Sequence, residues 1–311
     1  MNDTKNNIAF VFPGQGAQYV GMASDFYEIS DFKKYFDIVN DKLGYDLKSI
    51  MFEGPVDLLK QTHNTQPAIL LHSLLALKYF QKKCKITPKF VAGHSLGEFS
   101  ALVYTDAISL EDAIYLVHKR GKFMIKASRK VPFKMAAVIG LKKNIVSEIC
   151  ENISGIVVAA NFNTPIQTVI SGESKAVSKA MQKCKDDGAK RVIELTVGGA
   201  FHSPLISKSA KWLRDEMENI NFQNAKIPII SNLTAKPETE SKEIINNLEK
   251  QIISPVRWVE SIEYMANNGV DTFIEFGPGR IISGMIRSIK KEKKRYNIDK
   301  ISDIKKILSE I

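Results

Sequence analysis

Residues 89–105 read KFVAGHSLGEFSALVYT. The stretch KFVA has strand character, and LGEFSALVYT has helix character. Between them Gly93-His94-Ser95-Leu96-Gly97 matches the G-x-S-x-G spacing of a serine on a tight strand-to-helix turn. The turn needs glycine two residues before and two after the serine, because larger side chains there would collide with the adjoining strand and helix. It lifts the serine Oγ clear of the backbone and leaves the Leu96 N–H at a helix N-terminus, where it can face a developing oxyanion. A strand feeding directly into a helix is the unit of an α/β fold with a mainly parallel sheet.

The surrounding sequence extends this pattern. Residues 8–12, IAFVF, form a buried strand closed by Pro13-Gly14-Gln15-Gly16. Residues 66–83 open with a proline and form an apolar helix, and Ser109-Leu-Glu-Asp112 is a capping box that starts another. Residues 134–197 differ: MAAVIG, helix 142–151, GIVVAAN, TVISG, helix 173–187 and RVIELTV give the order β-α-β-β-α-β of a ferredoxin-like unit. α/β segments resume with IPIISN and VDTFIEF, so the unit is inserted. The expected division is a large α/β subdomain over 1–130 and 198–311 and a small subdomain over 131–197.

The 311 residues are 44% hydrophobic, enough for a large core, and contain no apolar run long enough for a membrane span. The first residues, MNDTKNN, lack the apolar core of a signal peptide. Three separated cysteines, Cys84, Cys150 and Cys184, argue against structural disulfides and a zinc site and fit a reducing cytoplasm. The net charge is +10; from Arg287 onward nine Lys/Arg against four Asp/Glu leave +5, half of the total. That segment reads as a solvated basic tail or as a surface for an acidic partner. No motif or aromatic interleaving accompanies it to suggest nucleic acid.

A serine needs a base, and the chain has five histidines. His63 reads as loop, His72 as core, His94 as turned away from its neighbour Ser95, and His118 as lying on a lysine-rich outer face. His202, in Gly198-Gly199-Ala200-Phe201-His202-Ser203-Pro204 at the subdomain junction, is the candidate base. On a wheel of helix 110–126, Ala113, Val117, Arg120 and Met124 form one stripe opposite Lys119, Lys122 and Lys126. Arg120 therefore points inward and needs an anion. An internal Asp or Glu would serve, and so would a substrate carboxylate held by the guanidinium fork.

With these residues in place, the chain resembles the malonyl-CoA:acyl-carrier-protein transacylase family and acyltransferase domains of polyketide synthases. The likeness runs from about Ile8 to about Ile289 through FPGQGAQ (12–18), NTQPA (64–68), GHSLGE (93–98), RGKFM (120–124), NFNTPIQTVISG (161–172), GAFHSP (199–204), SNLTA (231–235), QIISPVRW (251–258) and EFGPG (275–279). The resemblance implies an α/β-hydrolase-like large subdomain with a ferredoxin-like small one. It implies Ser95 as nucleophile, with His202 as base held by the main-chain carbonyl of Gln251. Gln15 and Leu96 would form the oxyanion hole, and Arg120 would bind the malonyl carboxylate. Asn161 and the Gln251 side chain would line the cleft. Phe201, in Ala200-Phe201-His202, would fill the space of an α-methyl branch and favour malonyl.

The implied reaction is ping-pong transfer of malonyl from malonyl-CoA to holo acyl carrier protein through a malonyl-serine ester, for fatty acid biosynthesis. It needs no metal or other cofactor. The expected setting is a cytoplasmic monomer that meets an acidic acyl carrier protein on its basic surface. Two departures stand out: the hinge at 125–134 is shorter than the family's, and the lysine-rich end lies past the motifs. Polyketide carrier proteins as acceptor, and a serine thioesterase or hydrolase, remain alternatives. So does a degenerate relative that only docks carrier protein, although Ser95, His202 and Arg120 are all present.

Overall fold

The computed structural model describes residues 7–310; the polar N-terminal stretch 1–6 lies outside them. Two sheets organise the chain. The first has six strands in the order β10-β9-β1-β2-β7-β8, with β1 Ile8–Phe12, β2 Phe90–Gly93, β7 Ile229–Ile230, β8 Pro237–Glu238, β9 Thr272–Phe276 and β10 Lys294–Ile298. Every pairing is parallel except β7 with β8. Strands β1, β2 and β9 are buried along their whole length, and β1 and β2 carry continuous apolar runs, as parallel strands covered on both faces do. Phe10, Phe80 and Phe276 meet edge to face in the core beneath them.

The register places Phe12 beside Gly93, so the Pro13-Gly14-Gln15 loop and the Ser95 turn leave the sheet side by side at its carboxyl edge. This is where open α/β sheets bind ligands. The turn is followed by the helix Gly97–Tyr104. The Arg120 helix, Leu110–Ser128, starts where expected: Ser109 Oγ accepts the Asp112 N–H at 3.0 Å.

The second sheet contains β3 Phe133–Ile139, β4 Val157–Thr164, β5 Gln167–Glu173 and β6 Arg191–Glu194 in the order β4-β5-β3-β6. All its pairings are antiparallel. Helices Lys143–Glu151 and Ser174–Asp186 cover one face around Val138, Val146, Ile170 and Val177. Strand order and connectivity are those of a ferredoxin-like unit. Several links join the two units. Val256 donates to Ala160 O at 2.9 Å and accepts from Phe162 N at 2.9 Å. Lys143 reaches Glu260 at 2.8 Å. The short hinge is divided: the Arg120 helix continues to Ser128 and β3 begins at Phe133, with residues 129–132 between them, and Ser128 Oγ accepts the Ala200 N–H of the returning chain at 3.1 Å.

Three sequence expectations are corrected. The chain after Ile289 is not a solvated tail. It supplies β10 and the helix Ile301–Leu308, with Ile298, Ile304 and Ile307 buried. Its apolar spacing at 298, 304 and 307 is masked by intervening lysines. The apolar helix begins earlier, at Thr62, with Pro67 inside it, so His63 is helical rather than in a loop. Pro67 has no N–H for the His63 carbonyl, and His118 Nδ1 meets that carbonyl at 3.0 Å instead. His118 is accordingly 7% exposed and not on an outer face. The wheel shows the stripe that meets the core, but it cannot show a second element docking beside it. Gly121 admits that neighbour, since a Cβ there would lie 2.7 Å from His63 Cα. Among the described residues no helix is long and apolar enough to cross a membrane, and no group of three or more His, Cys, Asp and Glu is placed to hold a metal ion.

Candidate active site

Ser95 sits at φ 50°, a left-handed conformation that a non-glycine residue holds only when its surroundings enforce it. A Cβ on Gly93 would fall 1.8 Å from Gly97 C, and one on Gly97 2.3 Å from Phe12 O. Both glycines are therefore required by contact. Side chains grip the turn from outside: Ser95 N–H donates to Asn232 Oδ1 at 2.6 Å, Asn232 Nδ2 to Gly93 O at 2.7 Å, and Gln251 Nε2 to Ser95 O at 3.1 Å.

His202 lies 107 residues along the chain from Ser95, yet its Nε2 is 2.8 Å from Ser95 Oγ. Its Nδ1 faces two main-chain carbonyls, Gln251 O at 2.9 Å and Ser254 O at 3.2 Å. Those acceptors fix the proton on Nδ1 and leave the Nε2 lone pair toward the serine. Burial, and next the Arg120 charge, push the imidazole down to about 3. The ring is thus neutral at physiological pH, the state a general base needs. The backbone at His202 is also left-handed, at φ 56°, which turns the ring inward from its loop.

Arg120 is 1% exposed. Its Nη1 donates to Gln66 Oε1 at 3.0 Å, and its Nη2 donates to Gln251 Oε1 and to Ser95 Oγ, both at 2.9 Å. Among the described residues no carboxylate lies within 4.0 Å of the guanidinium. The internal ion pair considered above is absent. Neutral amides hold the cation, and one of its edges faces the serine oxygen. Burial pushes the guanidinium down to about 10, opposed by the more distant charge of Glu98.

A cavity of about 490 Å³ opens over these groups. Ser95, His202, Arg120, Gln15, Leu96, Asn161 and Phe201 all line it. Gln251 does not line it. It stands behind Arg120, 1% exposed, with both ends of its amide engaged. Asn161 sits where β4 bulges and bridges to Val256. His94 points away from the serine, as expected: its Nε2 meets Asn163 Oδ1 at 2.8 Å and its ring packs on Trp258.

Sequence reasoning missed the supports. Asn232, Gln66 and Glu98 lie inside the quoted motifs SNLTA, NTQPA and GHSLGE, so the signal was present without an assignment. Glu275 of EFGPG is buried, and its carboxylate accepts the N–H groups of Ile282 at 3.0 Å and Ser283 at 2.8 Å. It thereby caps the helix Ile281–Ile289, whose Ile281, Ile282 and Met285 form one cavity wall.

A chain so arranged can make and break an acyl-serine. A family model described as acyl transferase domain matches residues 9–301. The chain is 42% identical over 293 residues to the malonyl CoA-acyl carrier protein transacylase of Bacillus subtilis (strain 168), covering 93% of this chain and 92% of that protein. Its structure is similar to that of the malonyl-CoA:acyl carrier protein transacylase of Xanthomonas oryzae pv. oryzae, with TM-score 0.95, 33% identity and coverage of 99% of both chains. It is also similar to a malonyl-transacylase solved in complex with its type II polyketide synthase acyl-carrier protein, with TM-score 0.95, 35% identity, and coverage of 98% of this chain and 100% of that one.

Proposed function

The chain belongs to the acyl transferase domain family, and from that premise we propose that Ser95, His202 and Arg120 carry malonyl transfer. The enzyme moves malonyl from malonyl-CoA to the phosphopantetheine thiol of holo acyl carrier protein, supplying fatty acid biosynthesis. The observation that carries the assignment is the Arg120 edge. A buried guanidinium 2.9 Å from the nucleophilic oxygen, with no carboxylate in ion-pair contact among the described residues, suits an acyl group that brings its own carboxylate.

Malonyl-CoA enters with its carboxylate on Arg120, which releases Ser95 Oγ. The oxygen attacks the thioester carbon as His202 Nε2 takes its proton. The C–S bond then breaks, the proton passes to the departing CoA sulfur, and a malonyl-serine ester remains. The amides of Gln15 and Leu96 receive the oxyanion. The carrier thiol then repeats the sequence in reverse, with His202 again moving the proton. Asn161 lines the path of the incoming thioester. Phe201 fills the space of an α-methyl branch, which discriminates by ~1–3 kcal/mol.

The chemistry draws on these side chains and the two substrates, with no metal or other cofactor. In this reading residues 131–197 are a small subdomain roofing the cleft, with 1–130 and 198–311 as its floor. The protein works as a monomer in the cytoplasm, and its net charge of +10 favours an acidic carrier. Intact mass after brief exposure to malonyl-CoA, with peptide mapping, tests this. A malonyl adduct on Ser95 that moves to added holo carrier protein is expected. An adduct lost equally fast to water means a hydrolase, and no adduct without turnover means a binding protein. Parallel addition of fatty-acid and polyketide carrier proteins reports which accepts faster.

A further inference from the structure

Glu98 takes no part in the chemistry above, yet it is buried under the nucleophile at 1% exposure. Its Oε2 accepts the Asn232 N–H at 2.9 Å and Gln251 Nε2 at 3.2 Å. An ionised carboxylate only accepts hydrogen bonds, so it dictates which end of the Gln251 amide points toward it. With the nitrogen fixed there and on Ser95 O, the amide oxygen is left for Arg120 Nη2 at 2.9 Å. The carbonyl of the same residue holds His202 Nδ1. Asn232, the other group bound to Glu98, holds Ser95 N–H. All three reacting groups are therefore one residue removed from this carboxylate.

We propose that Glu98 is a positioning residue of the malonyl site: it locks the amide that carries Arg120, and its charge competes with the acyl carboxylate for that guanidinium. The proposal rests on the malonyl reading of the cleft. An arriving malonyl carboxylate would bring a second negative charge to one buried cation, a cost relieved when Glu98 takes up a proton. The titratable groups facing Glu98 are Arg120 from the Leu110–Ser128 helix and Glu238 from β8, with the neutral His202 ring beyond Arg120. Burial holds both Glu98 and Glu238 well above the usual carboxylate range, and the charge of Glu98 lifts Glu238 further. Glu238 Oε1 has no hydrogen-bond partner among the described residues. The interior beneath the nucleophile is thus poised to hold a proton.

The test measures acyl-serine formation from malonyl-CoA and acetyl-CoA between about pH 5.5 and 9, for the wild-type chain, Glu98→Gln and Glu238→Gln. In the wild type, KM for malonyl-CoA rises with pH as Glu98 ionises, and KM for acetyl-CoA stays level. Glu98→Gln removes that rise, lowers the malonyl KM several-fold at high pH, and lowers kcat by roughly tenfold through the loosened Gln251. Glu238→Gln leaves the rise in place, because Glu238, lifted by the Glu98 charge, is still protonated while Glu98 ionises. A malonyl KM in Glu98→Gln that keeps the wild-type pH dependence overturns the proposal, and so does an equal rise for acetyl-CoA. Should Glu98→Gln not fold, a wild-type malonyl KM that stays level across this pH range overturns it, and so does a rise that disappears in Glu238→Gln. Wild type that forms no malonyl-Ser95 instead overturns the underlying reading of the cleft.

Discussion

Ser95, His202 and Arg120 differ in how each is held, and the differences set distinct expectations. Ser95→Ala should leave no acyl adduct by intact mass; labelling at another residue would refute the nucleophile. Arg120→Ala should weaken malonyl loading and raise the acetyl-to-malonyl ratio in a competition assay, because the fork is the cation that meets Ser95 Oγ. His202→Ala should slow acylation by about 10²–10⁴. The wild-type rate should show no loss from imidazole protonation between about pH 8 and 5, since the folded ring resists protonation until about 3. A bell whose acidic limb falls near pH 6.5 would overturn that. Ser95, Leu96 and the inward turn of Arg120 were legible because spacing and periodicity are local properties. Glu98 and Asn232 had no such signature. Their meaning lies in a contact across 134 residues, and a glutamate on a short helix looks like any other until its neighbours are known.

Among the elements, the nucleophile turn is the least tolerant of change. Gly93→Ala places a methyl inside the Gly97 carbonyl carbon's radius, so the strand-to-helix turn must open. We expect a loss of about 3 kcal/mol or more in denaturant unfolding, or no folded protein. The helix Ile281–Ile289 depends on Glu275 in a milder way. Glu275→Gln keeps one acceptor for two N–H groups and should cost about 1 kcal/mol, with a raised KM for CoA thioesters as that wall of the cavity loosens. The β-α-β-β-α-β stretch was readable because its strands and helices change period at clear glycine and polar breaks. The start of the Thr62–Lys83 helix was not. Pro67 looks like a first-turn residue, and it is the His118 ring from another helix that makes an interior position tolerable.

For the molecule as a whole, the buried titratable groups predict a stability maximum near neutrality. His72, His94, His118 and His202 are all held below the ordinary imidazole range, chiefly by burial. Their contribution is present above about pH 6.5 and is lost below it, where the unfolded chain takes up protons that the folded chain refuses. Glu98, Glu238 and Glu275 are raised, again chiefly by burial. Their contribution is present below the ordinary carboxylate range near pH 4.3 and is lost as pH rises through their folded values. Between the two ranges the effects partly cancel, so the thermal midpoint should peak at about pH 6–7 and fall on both sides. Calorimetry across pH checks this, and Glu275→Gln should steepen the acid side above about pH 4.3 and flatten the alkaline side up to about 7. The C-terminal segment was misread at this scale because charge dominates its composition, while three buried isoleucines decide its place. The bridge at Val256 joins two properties that are usually separate. Five residues before it on the same stretch sits the carbonyl that orients the base, and across it lies the β4 strand of the roof. One short backbone segment therefore carries both the contact to the ferredoxin-like sheet and the acceptor for the His202 ring.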